Sequence, residues 1–231
     1  MTRQQLLLDI RPEALATLDN FVVGDNAELL ARLGTLAAPG TVDQIYLWGP
    51  PGSGRSHLLR GAAKLAQARA RPVSFSEGAR LGAEAALAPG TLVIVDDVDD
   101  LDESAQISLF RIFNAARQQG LALLLSGSSA PLRLKSALRE DLRTRIGSTL
   151  IYELRPLSDG EKAAALRSHG AGRGMRIDAA LIDYLLHHGR RDLPSLLAVL
   201  DALDRISLEQ QRPLTLPLLR EILQTSLELN E

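Results

Sequence analysis

The chain has 231 residues, 26 Lys+Arg against 28 Asp+Glu for a formal net charge of −2, no cysteine and 3% aromatic residues. With 45% hydrophobic and 23% charged residues it carries enough apolar surface for one large domain, or a medium one with a small companion, which excludes disordered, collagen-like and coiled-coil classes. The lack of cysteine excludes a disulfide framework, zinc ribbons and thiol catalysis and fits a reducing, cytoplasmic setting, and the near-neutral charge speaks against a dedicated basic surface for nucleic acid.

The first twelve residues hold an apolar run, Leu6-Leu7-Leu8, that Asp9 and Arg11 interrupt; it is too short for a signal peptide. No later stretch reaches the roughly 18 uncharged apolar residues of a membrane helix, so a soluble protein is expected. From residue 45 onward short apolar runs at 45–48, 73–75, 92–95, 121–125 and 150–154 read as five buried strands. Helical patterns fall between them at 56–69 and 103–119, where Ile107, Phe110 and Phe113 mark a core-facing stripe. Such alternation predicts an α/β fold with a five-stranded parallel sheet and flanking helices. After Leu154 the strands stop. Ser158 with Glu161 forms a capping box, Asp178 caps a second helix through His188, Asp192 with Pro194 opens a third through Gln210, and Thr215 with Pro217 a fourth. The expected organisation is a flexible tail at 1–12, an α/β domain at 13–156 and a small all-α domain at 157–231, with a flexible stretch at 170–174.

The chemistry is concentrated after two strands. Gly49-Pro50-Pro51-Gly52-Ser53-Gly54-Arg55-Ser56-His57 stands between the first strand and a helix, matching G-x-x-x-x-G-K-[ST] with arginine for lysine. Glycines at 49, 52 and 54 let backbone amides converge on a phosphate, the helix N-terminus adds its dipole, and the Ser56 hydroxyl is a ligand for Mg²⁺. Because a guanidinium fork is wider than an ammonium, Arg55 is expected to preserve nucleotide binding better than hydrolysis. The third strand ends in Val95-Asp96-Asp97, an apolar strand closing on acids; Asp96 is expected to hold Mg²⁺ through water and Asp97 to polarise the attacking water. No G-x-S-x-G opens a helix, and His169, His187 and His188 lack companions at metal spacing.

Phe21-Val22-Val23-Gly24-Asp25-Asn26, Gly54-Arg55-Ser56-His57-Leu58 and Ile94-Val95-Asp96-Asp97 together resemble the AAA+ ATPase core of the DnaA family, to about residue 224. The DNA-binding helix-turn-helix domain of DnaA would lie beyond this C-terminus, and there is no room for its N-terminal self-association domain. What remains is similar to the Hda group of DnaA-homologous regulators, some of which also carry arginine in the loop. That likeness implies that Val22 and Val23 lie against the adenine of ADP or ATP. It also implies that Ser128 occupies the sensor 1 position, usually an acid or amide, and that Arg145 is an arginine finger reaching a neighbouring subunit's nucleotide. Arg191, with Arg190 as rival, matches the sensor 2 arginine of the lid.

Gln5-Leu6-Leu7-Leu8-Asp9-Ile10 is similar to the sliding-clamp-binding peptide Q-L-x-L-x-[LF], with Gln5, Leu6, Leu8 and Ile10 as anchors. The partners so implied are DnaA, the DNA-loaded β clamp of DNA polymerase III and a second copy of the chain. The expected function is regulation of replication initiation by stimulating hydrolysis of DnaA-bound ATP, with weak or no intrinsic ATPase and no strong DNA binding of its own. An autonomous AAA+ ATPase such as a helicase loader is the alternative, and a DNA-binding initiator remnant a third.

Overall fold

A computed structural model describes residues 16–77, 87–189 and 192–220. They divide into two compact units, one spanning Ala16–Pro156 and the other beginning at Leu157.

The first unit contains α1 (Ala27–Leu36), β1 (Gln44–Trp48), α2 (Arg55–Ala68), β2 (Val73–Glu77), β3 (Leu92–Asp96), α3 (Glu103–Gln119), β4 (Ala122–Gly127), α4 (Glu140–Gly147) and β5 (Leu150–Glu153). The strands form one sheet in the order β2-β3-β4-β1-β5, with every neighbouring pair parallel. Side chains alternate between its faces, as the strand period of two requires. Ile45, Leu47, Leu92, Ile94 and Leu124 pack with α1 and α2 on one side, while Tyr46, Val93, Val95, Leu123 and Leu125 pack with α3 and α4 on the other.

Two details depart from the sequence expectation. All five strands were expected to be buried, yet only β3 and β4 are buried throughout, whereas β2 and β5 are partly or largely exposed; these two are the sheet edges, covered by a neighbour on one side only. On α3 the buried face runs through Ala105, Leu109, Ile112, Phe113 and Ala116. Ile107 and Phe110 are half-buried, because a strict three-residue spacing drifts off a face that repeats every 3.6.

The second unit comprises α5 (Asp159–Gly172), α6 (Ala179–His188) and α7 (Leu193–Gln210), with helix resuming at 216–220. Leu166, Leu181, Ile182, Leu185, Leu196, Leu200 and Leu203 form its core. The capping box is present: the amide of Ser158 donates to Glu161 Oε2 at 2.8 Å and that of Glu161 to Ser158 Oγ at 3.3 Å. Asp192 caps α7 by accepting from the Ser195 amide at 2.9 Å. Asp178 stands at the N-cap position of α6 without a side-chain cap bond. The stretch expected to be flexible at 170–174 is instead mostly helix, since α5 continues to Gly172 and turns only at Gly174, φ 73°. At Gly170 an added Cβ would push the end of the Ile177 side chain aside.

Candidate functional site: a phosphate-binding loop facing an acidic strand end

The sheet order sets β4 between β1 and β3, so the ends of β1, β4 and β3 lie side by side. This is the carboxyl edge at which open parallel sheets bind ligands. Beyond β1 the chain turns through 49–54: the Gly49 amide donates to Gly127 O at 3.3 Å and the Ser53 amide to Pro50 O at 3.2 Å. Gly52 and Gly54 adopt φ of 77° and 100°, and at Gly54 an added Cβ would lie 2.9 Å from the Phe21 ring, so glycine is required twice over. Gly54 is the N-cap of α2 and offers no side chain to it. The amides of Arg55, Ser56 and His57 therefore have no intrahelical acceptor and converge with the helix dipole toward the loop. Inside the loop the buried Ser53 Oγ has no partner. Free amides, a positive dipole end and an orphaned hydroxyl form a set of donors suited to an anion.

Arg55 points into this edge of the sheet. Its Nη1 donates to the carbonyls of Gly49, 2.6 Å, and Gly127, 2.7 Å, and its Nη2 pairs with Asp97 Oδ1 at 2.9 Å. Asp96, the last residue of β3, is 3% exposed and accepts from Ser126 Oγ at 2.5 Å; the same oxygen receives the Asp97 amide at 2.9 Å. Asp97 follows in a left-handed conformation, φ 53°, uncommon for a residue other than glycine. Burial raises its pKa, the neighbouring Asp96 adds to the rise, and Arg55 opposes it. Asp99 receives the Ser128 amide at 2.8 Å on Oδ2, while its buried Oδ1 has no hydrogen-bond partner. Tyr46, from β1, donates its hydroxyl to Ser129 O at 2.6 Å.

The segment before α1 is fastened to the loop. The Phe21 and His57 rings lie 5.7 Å apart, and His57 Nε2 meets Thr17 O at 2.9 Å. A carbonyl only accepts, so Nε2 carries the hydrogen. Burial, with a further contribution from the Arg60 charge, lowers the His57 pKa, and the bond to Thr17 opposes the fall. Asn26, 4% exposed, holds the other end by donating to Val23 O and Arg155 O, 3.1 Å each, and accepting from the Arg155 amide at 3.0 Å. Val22 and Val23 are half-buried between these anchors.

Arg145 lies exposed on α4. Its Nη2 donates to Asn114 Oδ1 on α3 at 2.9 Å, and its guanidinium carbon lies 5.8 Å from the centre of the Phe110 ring. Ser128 is exposed just beyond β4. Arg190, Arg191 and the peptide with Gln5, Leu6, Leu8 and Ile10 lie outside the described residues. His169 pairs with Asp201 at 2.6 Å, and His187 and His188 bond to carbonyls of their own helix. Among the described residues no three His, Cys, Asp or Glu side chains form a metal cluster, and no helix is long and apolar enough to cross a membrane. Ser126, Asn114 and the buried Arg71 were not legible in the sequence as site or framework residues, since their roles arise from the neighbours that the sheet and α4 bring to them.

Residues 159–223 match the family model for the Hda lid domain. The whole architecture is similar to domain III of DnaA from Thermotoga maritima, at 17% identity over 90% of this chain and 95% of that one, TM-score 0.72. It is also similar to replication initiator DnaA bound to AMPPCP and single-stranded DNA, at 20% identity over 82% of this chain, TM-score 0.67. Residues 159–223 thus match the Hda lid family, on a chain whose fold is that of the DnaA structures. The chain spans 64% of the length of that AMPPCP-bound DnaA. A RuvB variant from Thermotoga maritima shares the AAA+ fold at 18% identity over 90% of this chain and 71% of that one, TM-score 0.69. The AAA+ core and lid agree with the α/β fold expected from the sequence. A diphosphate suits the loop: the orphaned Ser53 hydroxyl and the uncapped amides of α2 are the donors that it needs. Ser56 and Asp96 are the oxygen-bearing side chains that would hold Mg²⁺ beside a phosphate, Asp96 through water.

Proposed function

We propose that the chain is a regulator of replication initiation that holds ADP or ATP and promotes hydrolysis of the ATP bound by DnaA. The observation that carries this reading is the Hda lid on a DnaA-like AAA+ core. In this reading the backbone amides of Gly52, Gly54, Arg55, Ser56 and His57 and the hydroxyls of Ser53 and Ser56 hold the phosphates, and Val22 and Val23 face the base.

Arg145 supplies the chemistry in trans. A finger arginine stabilises charge developing on the transferred phosphoryl group and contributes about 10³–10⁵ in rate. The exposure of Arg145 on α4, with Asn114 fixing its guanidinium, suits a group that must enter another protein's site. Gln5, Leu6, Leu8 and Ile10 bring the chain to the DNA-loaded β clamp, which concentrates it where DnaA is to be converted to its ADP form.

The test is DnaA ATP turnover with clamp-loaded DNA. Wild type accelerates it and Arg145→Ala does not; equal stimulation by both removes the mechanism. Clamp pull-down with Gln5→Ala plus Leu8→Ala tests the peptide, and retained binding refutes it. The alternative of an autonomous ATPase such as a helicase loader is disfavoured by Arg55, whose wide guanidinium stands where such a loop carries a compact lysine, and by Ser128, a hydroxyl where an acid or amide is usual.

A further inference from the structure

One guanidinium gathers three strand ends. Arg55 donates to Gly49 O beyond β1, to Gly127 O at the end of β4 and to Asp97 beyond β3, at 2.6, 2.7 and 2.9 Å. The Arg55 side chain is 12% exposed and that of Asp97 40%, so the cation is drawn inward and its partner carboxylate sits at the rim. Asp96, Asp99 and Asp100 add negative charge around Asp97. The loop thus presents its own cation already neutralised, although an incoming phosphate needs that positive charge. Lysine, with a compact ammonium in place of a planar five-donor fork, is less suited to spanning carboxylate and carbonyls together. The left-handed turn at Asp97, φ 53°, is what aims its carboxylate back along the sheet edge toward the guanidinium.

Resting on the reading of the loop as a nucleotide holder, we infer that the Arg55–Asp97 pair is an internal latch: in the nucleotide-free protein it ties β1, β3 and β4 together, and a diphosphate must displace the Asp97 carboxylate from the guanidinium in order to bind. The ion pair therefore sets nucleotide affinity, and the latch stabilises the empty protein in the same measure as it weakens binding.

The experiment measures ADP affinity by titration calorimetry and nucleotide-free melting temperature for wild type, Asp97→Asn, Arg55→Met and the double variant. Removing the competing carboxylate tightens ADP binding by about fivefold to tenfold, the equivalent of about 1–1.4 kcal/mol expected of a partly buried pair. In the Arg55→Met background the same change shifts affinity less than twofold. Equal tightening in both backgrounds overturns the latch, because it would mean that Asp97 merely repels phosphate. Unchanged or weaker ADP binding by Asp97→Asn overturns it too. Should Arg55→Met fail to fold, Arg55→Gln serves as the uncharged background with the same two outcomes, and the nucleotide-free melting temperatures of the four proteins give the coupling of the pair, additivity refuting the latch. ADP binding by neither wild type nor Asp97→Asn overturns the nucleotide-site reading and the latch with it, whereas equal affinity of the two overturns the latch alone.

Discussion

The Arg145 guanidinium on α4 donates to Asn114 Oδ1 on α3 at 2.9 Å, with the Phe110 ring 5.8 Å from its central carbon. An exposed arginine has several rotatable bonds, and fixing them before a partner arrives reduces the entropy lost on docking. Asn114 is thus a positioning residue for the proposed finger. Asn114→Ala is expected to lower stimulation of DnaA ATP turnover by about tenfold, the scale at which misplacing a group is felt and below the loss expected for Arg145→Ala. Both residues are exposed, so the melting temperature should stay within about a degree, as surface changes usually do. A stimulated rate equal to wild type would show that Arg145 finds its place without help.

Arg71 makes a different use of the same side chain. It is 2% exposed, and its four acceptors are backbone carbonyls: Leu36, Ala38, Thr41 and Gly90, at 2.5, 2.8, 2.7 and 3.0 Å. It ties the turn after α1 to the one before β3. Removing the guanidinium leaves these carbonyls without a donor in a closed interior, and Arg71→Met should cost about 3 kcal/mol by denaturant unfolding. A loss under about 1 kcal/mol would mean that water takes over the vacated bonds.

These two arginines and Arg55 show what the sequence could and could not disclose. The strand-loop-helix order, the acids after β3 and the helical lid follow from local pattern: apolar runs of strand length, glycines where φ must be positive, a capping box at Ser158. The sheet edges were missed because strand order is a tertiary property, so β5 read as buried on its composition and emerged exposed. Arginine makes up nearly all of the positive charge, Lys64, Lys135 and Lys162 being the only lysines, and nothing local separates a framework arginine from a catalytic one. Arg71 faces carbonyls from distant turns and Arg55 faces Asp97 across two strands; neither set of partners is near in sequence. The glycine at 127 was similarly silent. An added Cβ there would collide with the Tyr46 hydroxyl and lie 2.5 Å from Asp99 Oδ1.

His57 gives the unit of residues 16–156 a pH dependence of known sign. Its folded pKa is lowered by burial and by Arg60, so between that depressed value and the unfolded value near 6.5 the unfolded chain binds more protons. Stability from this group therefore falls as the pH drops through that window and is fully present above it. His57→Gln retains an N–H for Thr17 O but does not titrate. The melting temperature of wild type should fall more steeply from pH 7.5 to 5.5 than that of the variant. Parallel curves would show that the ring is as readily protonated in the fold as outside it. The difference between the two proteins is the quantity to read, since the raised pKa of Asp97 acts with the opposite sign at lower pH.

Intrinsic hydrolysis offers the last separation, between Arg55 and Ser128 as the reason why only a weak ATPase is expected. If Arg55 is responsible, its wide guanidinium holds the phosphates out of line with the water that Asp97 polarises, and a compact lysine restores that line. Arg55→Lys should then raise single-turnover ATP hydrolysis by at least about tenfold, toward the 10²–10⁴ that a positioned acid or base contributes. Phosphate release is measured at saturating ATP so that any change in affinity drops out. Ser128 tells another story: exposed at the end of β4 and bonded through its amide to Asp99, it offers a hydroxyl where an acid or amide is usual. Should Arg55→Lys bind ATP and hydrolyse it no faster than wild type, while Ser128→Asp does hydrolyse it faster, the defect lies in that loop, and the arginine serves binding and structure alone.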